Sequence, residues 1–224
     1  MKRIIILIMA LVPIFFGAKA ATKVAEDTIT ARRAFVELPS EVLELLNSTM
    51  RQNMLSWYDN DSIAPIVNAM EGVSSLVPPV TRDYLQVQVT PVSRMTLRIL
   101  PRKGKLPMVM TVYTLGDSLQ AKDSDVRFYD ENMTLQPRNK HLKPLSTIDF
   151  LDTGDMKREE RDKLLDLIPF PMVEYSVGPE STDLKASLTA GEYLGQEDFK
   201  KIEPYLRPER ILRWNGHKYE LLKD

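Results

Sequence analysis

The chain has 224 residues, 43% apolar and 27% charged, with a formal net charge of -1. That composition excludes collagen-like and wholly disordered chains, and the length allows a buried core without covalent staples. Near-neutral charge also removes the strongly basic face by which a nucleic-acid partner's counterions are displaced, so no nucleic acid is expected.

Residues 1–20 place Lys2 and Arg3 before an apolar run over 4–16 and close on Gly17-Ala18-Lys19-Ala20. This is the order of a secretory signal peptide, and small residues at Ala18 and Ala20 predict cleavage before Ala21. The run is shorter than the ~20 residues of a membrane-spanning helix, so no transmembrane span is expected after cleavage. No cysteine follows it, which excludes lipidation at a new terminus. Cleavage removes three of the 30 basic residues (Lys2, Arg3 and Lys19) and none of the 31 acidic ones, leaving a charge near -4. An exported chain without cysteine has no disulfide framework, thiolate nucleophile or thiolate metal site, and its expected location is periplasmic or secreted, in a bacterial envelope.

Residues 21–34 are polar without apolar periodicity and are expected to form a flexible leader, the fold starting near Phe35. A first unit over 35–136 opens with a helix. Val42, Leu45, Leu46, Thr49, Met50, Asn53, Met54 and Trp57 recur at spacings of three and four, along one helix side, with Ser40 as N-cap and a bend near Asn47. After an apolar piece over 63–70 and a loop ending in Pro78-Pro79, the period becomes two. Leu85, Val87 and Val89 alternate with Gln86, Gln88 and Thr90, and beyond Pro91-Val92-Ser93 the residues Met95, Leu97 and Ile99 alternate with Arg94, Thr96 and Arg98. That is an antiparallel hairpin, which 107–115 and 125–129 extend to four strands.

Residues 137–154 read as a linker. In a second unit over 155–224, Asp155 or Thr153 caps a charged helix over 156–168 that Pro169 stops. Strands follow over 173–177 and 184–188, then a helix over 196–205. The closing hairpin, 210–214 and 217–222, turns on Asn215-Gly216 as a two-residue type I′ turn. The predicted class is α+β: antiparallel β meanders with helices packed on one face, arranged as two tandem helix-plus-four-strand units or as one compact domain.

Three segments carry a resemblance. Arg51-Gln52-Asn53-Met54-Leu55-Ser56-Trp57-Tyr58, Val126-Arg127-Phe128-Tyr129-Asp130 and Arg213-Trp214-Asn215-Gly216-His217-Lys218-Tyr219 resemble a domain-of-unknown-function family of exported proteins from anaerobic Gram-negative gut and oral bacteria, over about 35–222. The resemblance implies no catalytic residues. The chain departs from the family's helix motif at Asn53 and Ser56, where an acidic residue is expected. The repeated helix-plus-strand units are also similar to tandem β-lactamase-inhibitor-protein-like modules, a likeness that implies protein binding.

Reactive side chains are sparse. His141 and His217 are the two histidines, and nine glycines form no phosphate loop, dinucleotide pattern or nucleophile elbow. Asp59-Asn60-Asp61-Ser62 opens like a calcium loop, but Ala64 and Met70 stand at the sixth and twelfth positions where glycine and glutamate belong. Asp155, in the cluster Asp149, Asp152 and Asp155, reads as a helix cap. No metal or cofactor is expected.

Arg94, Arg98, Arg102 and Lys103, with Lys105, concentrate charge on one hairpin, either as a solvated sheet face or as an anion or glycan face. Arg213, Trp214, His217 and Tyr219 form a candidate interaction patch, with core packing of Trp214 as the other reading. Asp27-Thr28-Ile29, Asp61-Ser62-Ile63 and Asp117-Ser118-Leu119 are similar to O-glycosylation acceptor triplets, which makes Thr28, Ser62 and Ser118 candidates. The expected function is a non-enzymatic binding protein that presents a sheet face to a protein or glycan partner. One alternative is a carboxylate-dependent glycan hydrolase, whose two carboxyl groups stand about 5 to 9.5 Å apart. The other is a small-ligand carrier with an enclosed apolar cavity.

Overall fold

The computed structural model describes residues 28–222 except Ser118. The expected signal peptide and cleavage site, together with residues 21–27, lie outside the described residues.

The order begins earlier than the composition suggests. Helix α1 (Ala31–Glu37) is capped by Thr30, whose hydroxyl accepts from the Arg33 backbone N–H at 3.2 Å, and it buries Ala31, Ala34 and Phe35. Ile29 is buried as well, and the Ala31 N–H donates to the Arg82 carbonyl at 2.7 Å. The expectation of a flexible leader is therefore corrected from Ile29 onward. Seven residues are too few to display a helical period, and two alanines on the inner side let the helix approach the sheet closely.

A 3-10 turn (Ser40–Val42) and then helix α2 (Ser48–Asp59) replace the continuous helix, and the bend expected near Asn47 falls at the N-cap of α2. The Asn47 Oδ1 accepts from the Met50 N–H at 2.9 Å, which satisfies one of the orphan donors of the first turn. Arg51, Met54 and Leu55 face inward.

Seven strands follow as an uninterrupted antiparallel meander, β1 (Ile66–Val67), β2 (Val73–Val77), β3 (Tyr84–Thr90), β4 (Ser93–Leu100), β5 (Met108–Leu115), β6 (Asp123–Tyr129) and β7 (Leu135–Gln136). The β1–β2 hairpin was hidden because its strands are short and its turn is made by a side chain. The buried Asn68 accepts from the Met70 and Gly72 N–H groups and donates to Ser74 Oγ and the Val89 carbonyl. Alternation sends Leu85, Val87, Met95, Leu97, Val109 and Tyr129 toward α1 and α2 as one core. Leu100, Met108, Met110, Val112, Val126 and Phe128 point the other way.

That second face is covered by a four-stranded antiparallel sheet, ordered β11-β10-β9-β8, of β8 (Val173–Ser176), β9 (Leu184–Leu188), β10 (Glu209–Trp214) and β11 (Tyr219–Leu221). Helices α3 (Arg158–Asp166) and α4 (Gln196–Ile202) contribute Leu164, Leu165, Phe199 and Ile202 to the shared core. The α+β class with antiparallel meanders stands, and the second unit has its four strands, while the first has seven. The N-cap of helix α3 is Lys157, which makes no side-chain cap, so neither Asp155 nor Thr153 serves the helix.

The segment expected as a linker is also corrected. Leu142 and Phe150 are wholly buried, and Ser146 and Asp149 form a capping box on the 3-10 turn Thr147–Phe150. Polar neighbours at every second or third position disguise these anchors in the sequence. In the closing hairpin Trp214 pairs with Tyr219, so the loop holds four residues and only Gly216, at φ 97°, takes a positive φ. Asn215 accepts from the His217 and Lys218 N–H groups instead, an Asx turn in place of the expected type I′ turn.

Candidate functional site

The basic hairpin positions do not form an open face. The even positions of β4 look toward the smaller sheet, which covers them. Arg94 is ion-paired with Glu174 of β8, to which Lys122 also comes within 3.5 Å. Arg98 is 8% exposed and donates through Nη1 to the Asp83 carbonyl at 3.1 Å. Arg102 reaches Glu131 at 3.3 Å, and the Lys103 stem packs over Gly216. Lys105 is exposed.

The aromatic patch divides. Trp214 and Tyr219 are buried with ring centres 5.2 Å apart. Trp214 Nε1 donates to the Pro101 carbonyl at 2.6 Å and the Tyr219 hydroxyl to the Thr182 carbonyl at 2.8 Å, and burial pushes the Tyr219 pKa far up. Arg213 and His217 remain exposed; the His217 carbonyl accepts from His141 Nδ1 at 2.8 Å. The structure thus brings the two predicted groups together along one seam between the sheets, where most of their atoms are engaged. Thr28 and Ser62 are half-buried, and Ser118 lies outside the described residues. Among the described residues no group of three or more histidines and carboxylates is placed to hold a metal.

An accessible polar site lies on the opposite face of the larger sheet, on the strip of β5 and β6 beyond the helices. The register places Thr111 opposite Arg127, Tyr113 opposite Asp125 and Val109 opposite Tyr129, so these side chains share one face. With Val42 and Leu115, Thr111, Tyr113, Asp125 and Arg127 line a pocket of about 270 Å³. Past Asp125 and Arg127 the surface continues as a groove of about 350 Å³ bordered by Gln136 and Arg138. Arg127 Nε donates to Asp125 Oδ2 at 2.6 Å, and Arg138 stands 3.9 Å from the same carboxylate. The hydrogen bond to Asp125 raises the Arg127 pKa and fixes the guanidinium as a flat donor surface.

Beneath this pair, Tyr129 is 1% exposed, and its hydroxyl sits beside Arg127 and Thr111 without a well-formed hydrogen bond. A buried hydroxyl left unpaired is costly, by about 1–3 kcal/mol. Burial raises its pKa, so it remains a neutral donor. The sequence carried a usable signal for this site: in 125–129 the polar Asp125, Arg127 and Tyr129 alternate with apolar Val126 and Phe128.

A wider groove of about 520 Å³ runs between α1 and α2 past Val36, Gln52 and Leu55. Its charges are satisfied within the chain, Arg32 by Asp59 at 2.7 Å and Arg33 by Glu37 at 2.9 Å.

The fold is similar to the solved structure of a domain of an uncharacterized protein from Porphyromonas gingivalis W83, with a TM-score of 0.74 and 18% identity, covering 86% of this chain and 98% of that one. At that identity the likeness is one of fold. No curated protein matches the chain. The model of the family described as "Protein of unknown function (DUF3256)" matches residues 24–219, and the chain belongs to that family.

Proposed function

We propose that this is an exported, non-enzymatic binding protein of the bacterial envelope, and that the strip around Tyr113, Asp125, Arg127 and Tyr129 is the face it offers to a glycan. The single observation that carries the reading is the Asp125–Arg127 pair lying flat between one accessible tyrosine and one buried, under-bonded hydroxyl. A sugar presents vicinal hydroxyls and an apolar C–H face, which match a planar donor and acceptor pair beside an aromatic ring. The strip supplies one carboxylate, already held by two guanidinium groups, which is a polarity suited to hydrogen bonding. Export rests on the amino-terminal segment, and the likeness to β-lactamase-inhibitor-protein-like modules supplies the general idea of a binding sheet face.

The test is titration of a panel of neutral oligosaccharides against the chain beginning at Ala21, followed by calorimetry. Binding that Asp125→Asn and Tyr113→Ala each weaken about tenfold or more is expected, a loss of about 1.4 kcal/mol per site. Binding indifferent to both substitutions, or none across the panel, would refute the assignment.

A further inference from the structure

Arg98 has an environment that the fold alone does not account for. It is 8% exposed, its Nη1 serves the Asp83 carbonyl, and its Nε is buried without a partner. Among the described residues no carboxylate stands within ion-pair distance of it, although Asp83 is adjacent, and Arg94 and Arg102 on the same hairpin each have one. A buried guanidinium ordinarily has an anion or several carbonyls arranged around it, because isolated burial of charge is expensive.

Arg98 also lines a pocket of about 280 Å³ at the end of the sheet. The other walls are unlike one another. Ile29, Ile99, Pro101 and Pro107 are apolar, Thr28 and Thr182 bear hydroxyls, and Arg82 and Asp83 carry opposite charges. Arg82 is exposed, so Arg98 is the buried cation of this lining. One planar guanidinium without a carboxylate partner, in a small pocket with four apolar residues on its walls, describes the counterpart of a short organic acid. The fork takes both carboxylate oxygens, and the walls take a carbon chain of a few atoms.

We propose that Arg98 receives the carboxylate of a small organic acid in this pocket, a site separate from the β5–β6 strip and independent of its reading. Inorganic phosphate shares the anionic charge but has no hydrocarbon portion to bury, so the two are distinguishable by chain length. Pentanoate should bind more tightly than acetate by about fourfold for each added methylene, and phosphate should be the weakest. No atom of the protein titrates or reacts in this step; the ligand is held by charge and hydrogen bonding.

The experiment follows the Arg98 side-chain N–H resonance of the intact ¹⁵N-labelled chain during titration with sodium acetate, pentanoate and phosphate at constant ionic strength. Thermal melting is recorded in parallel. Pentanoate is expected to shift that resonance saturably and, at ~100 times its dissociation constant, to raise the melting temperature by about 5–10 °C. Arg98→Met should abolish both effects. If that variant does not fold, the resonance of the unsubstituted chain still decides. An Arg98 signal that no anion moves overturns the site, and tighter binding of phosphate than of pentanoate overturns the assignment to an organic acid.

Discussion

Replacing Arg51 by methionine tests how the two helices of the first layer are held to each other. The side chain is 1% exposed and has no ion-pair partner among the described residues. Its Nη1 donates to the carbonyls of Phe35 at 2.8 Å and Leu38 at 2.9 Å, the last turn and C-cap of α1. The negative end of the α1 dipole therefore stands in for a counterion, and burial lowers the Arg51 pKa. Hydrogen bonds from a charged donor contribute about 1.5–3 kcal/mol each, and each carbonyl left buried and unpaired costs about 1–3 kcal/mol. Against this, methionine fills much of the volume and removes the expense of desolvating a guanidinium, which is several kcal/mol. The balance is a net loss of about 2–4 kcal/mol, or about 5–15 °C in melting temperature at this chain length. Urea unfolding followed by circular dichroism measures it, with the midpoint falling and the slope unchanged if α1 stays docked until the global transition. An Arg51→Met protein as stable as the parent would show that the two bonds do not repay desolvation, and would refute this account of the α1–α2 contact.

Gly116 sits at φ 104°, and a Cβ there would meet the Ala121 carbonyl oxygen at 2.6 Å, so Gly116→Ala should lower stability by about 2 kcal/mol or more in a thermal melt. Glu174→Gln removes the shared partner of Arg94 and Lys122 between the sheets and should cost about 1–3 kcal/mol in urea; an unchanged midpoint would mean that apolar packing alone docks the smaller sheet. Burial raises the pKa values of Tyr129, Tyr175 and Tyr219 above their ordinary value near 10. The unfolded chain then loses these protons first, so their contribution is complete below pH 10 and declines as pH climbs beyond it, by up to ~1.4 kcal/mol per unit for each tyrosine. Unfolding midpoints measured between pH 8 and pH 11 should be level and then fall; a level profile throughout would contradict the burial of these hydroxyls.

The strands that the sequence disclosed are those where alternation runs for seven or eight residues, β3 and β4 above all, because period-two patterning is a direct record of which side faces the core. What it concealed was carried by single residues. Ile29 and Ala31 are anchors inside a polar stretch, Asn68 makes a turn through its side chain, and Leu142 and Phe150 pin a segment that otherwise reads as solvent-exposed. The same limit explains the candidate sites. A row of arginines along β4 looks like an open cationic face until a second sheet is laid over it, and the arrival of β8 with Glu174 depends on residues about 80 positions away. Conversely, Asp125, Arg127 and Tyr129 become a site only through register with Thr111 and Tyr113 on the neighbouring strand. Local pattern gives the face of each strand, and long-range pairing decides which faces remain accessible.

One arrangement bears on how the molecule behaves at high concentration. The smaller sheet has two borders, β8 and β11. At β8 the outward N–H groups of Val173 and Tyr175 are taken by the side chains of Asp123 and Ser124, and at β11 the Tyr219 N–H is taken by the His141 carbonyl. Open strand borders are where chains stack into fibrils or swap elements. With these donors already consumed inside the chain, self-polymerisation through the smaller sheet would first have to break bonds that the native molecule makes, a kinetic safeguard requiring neither proline nor added lysine at the border.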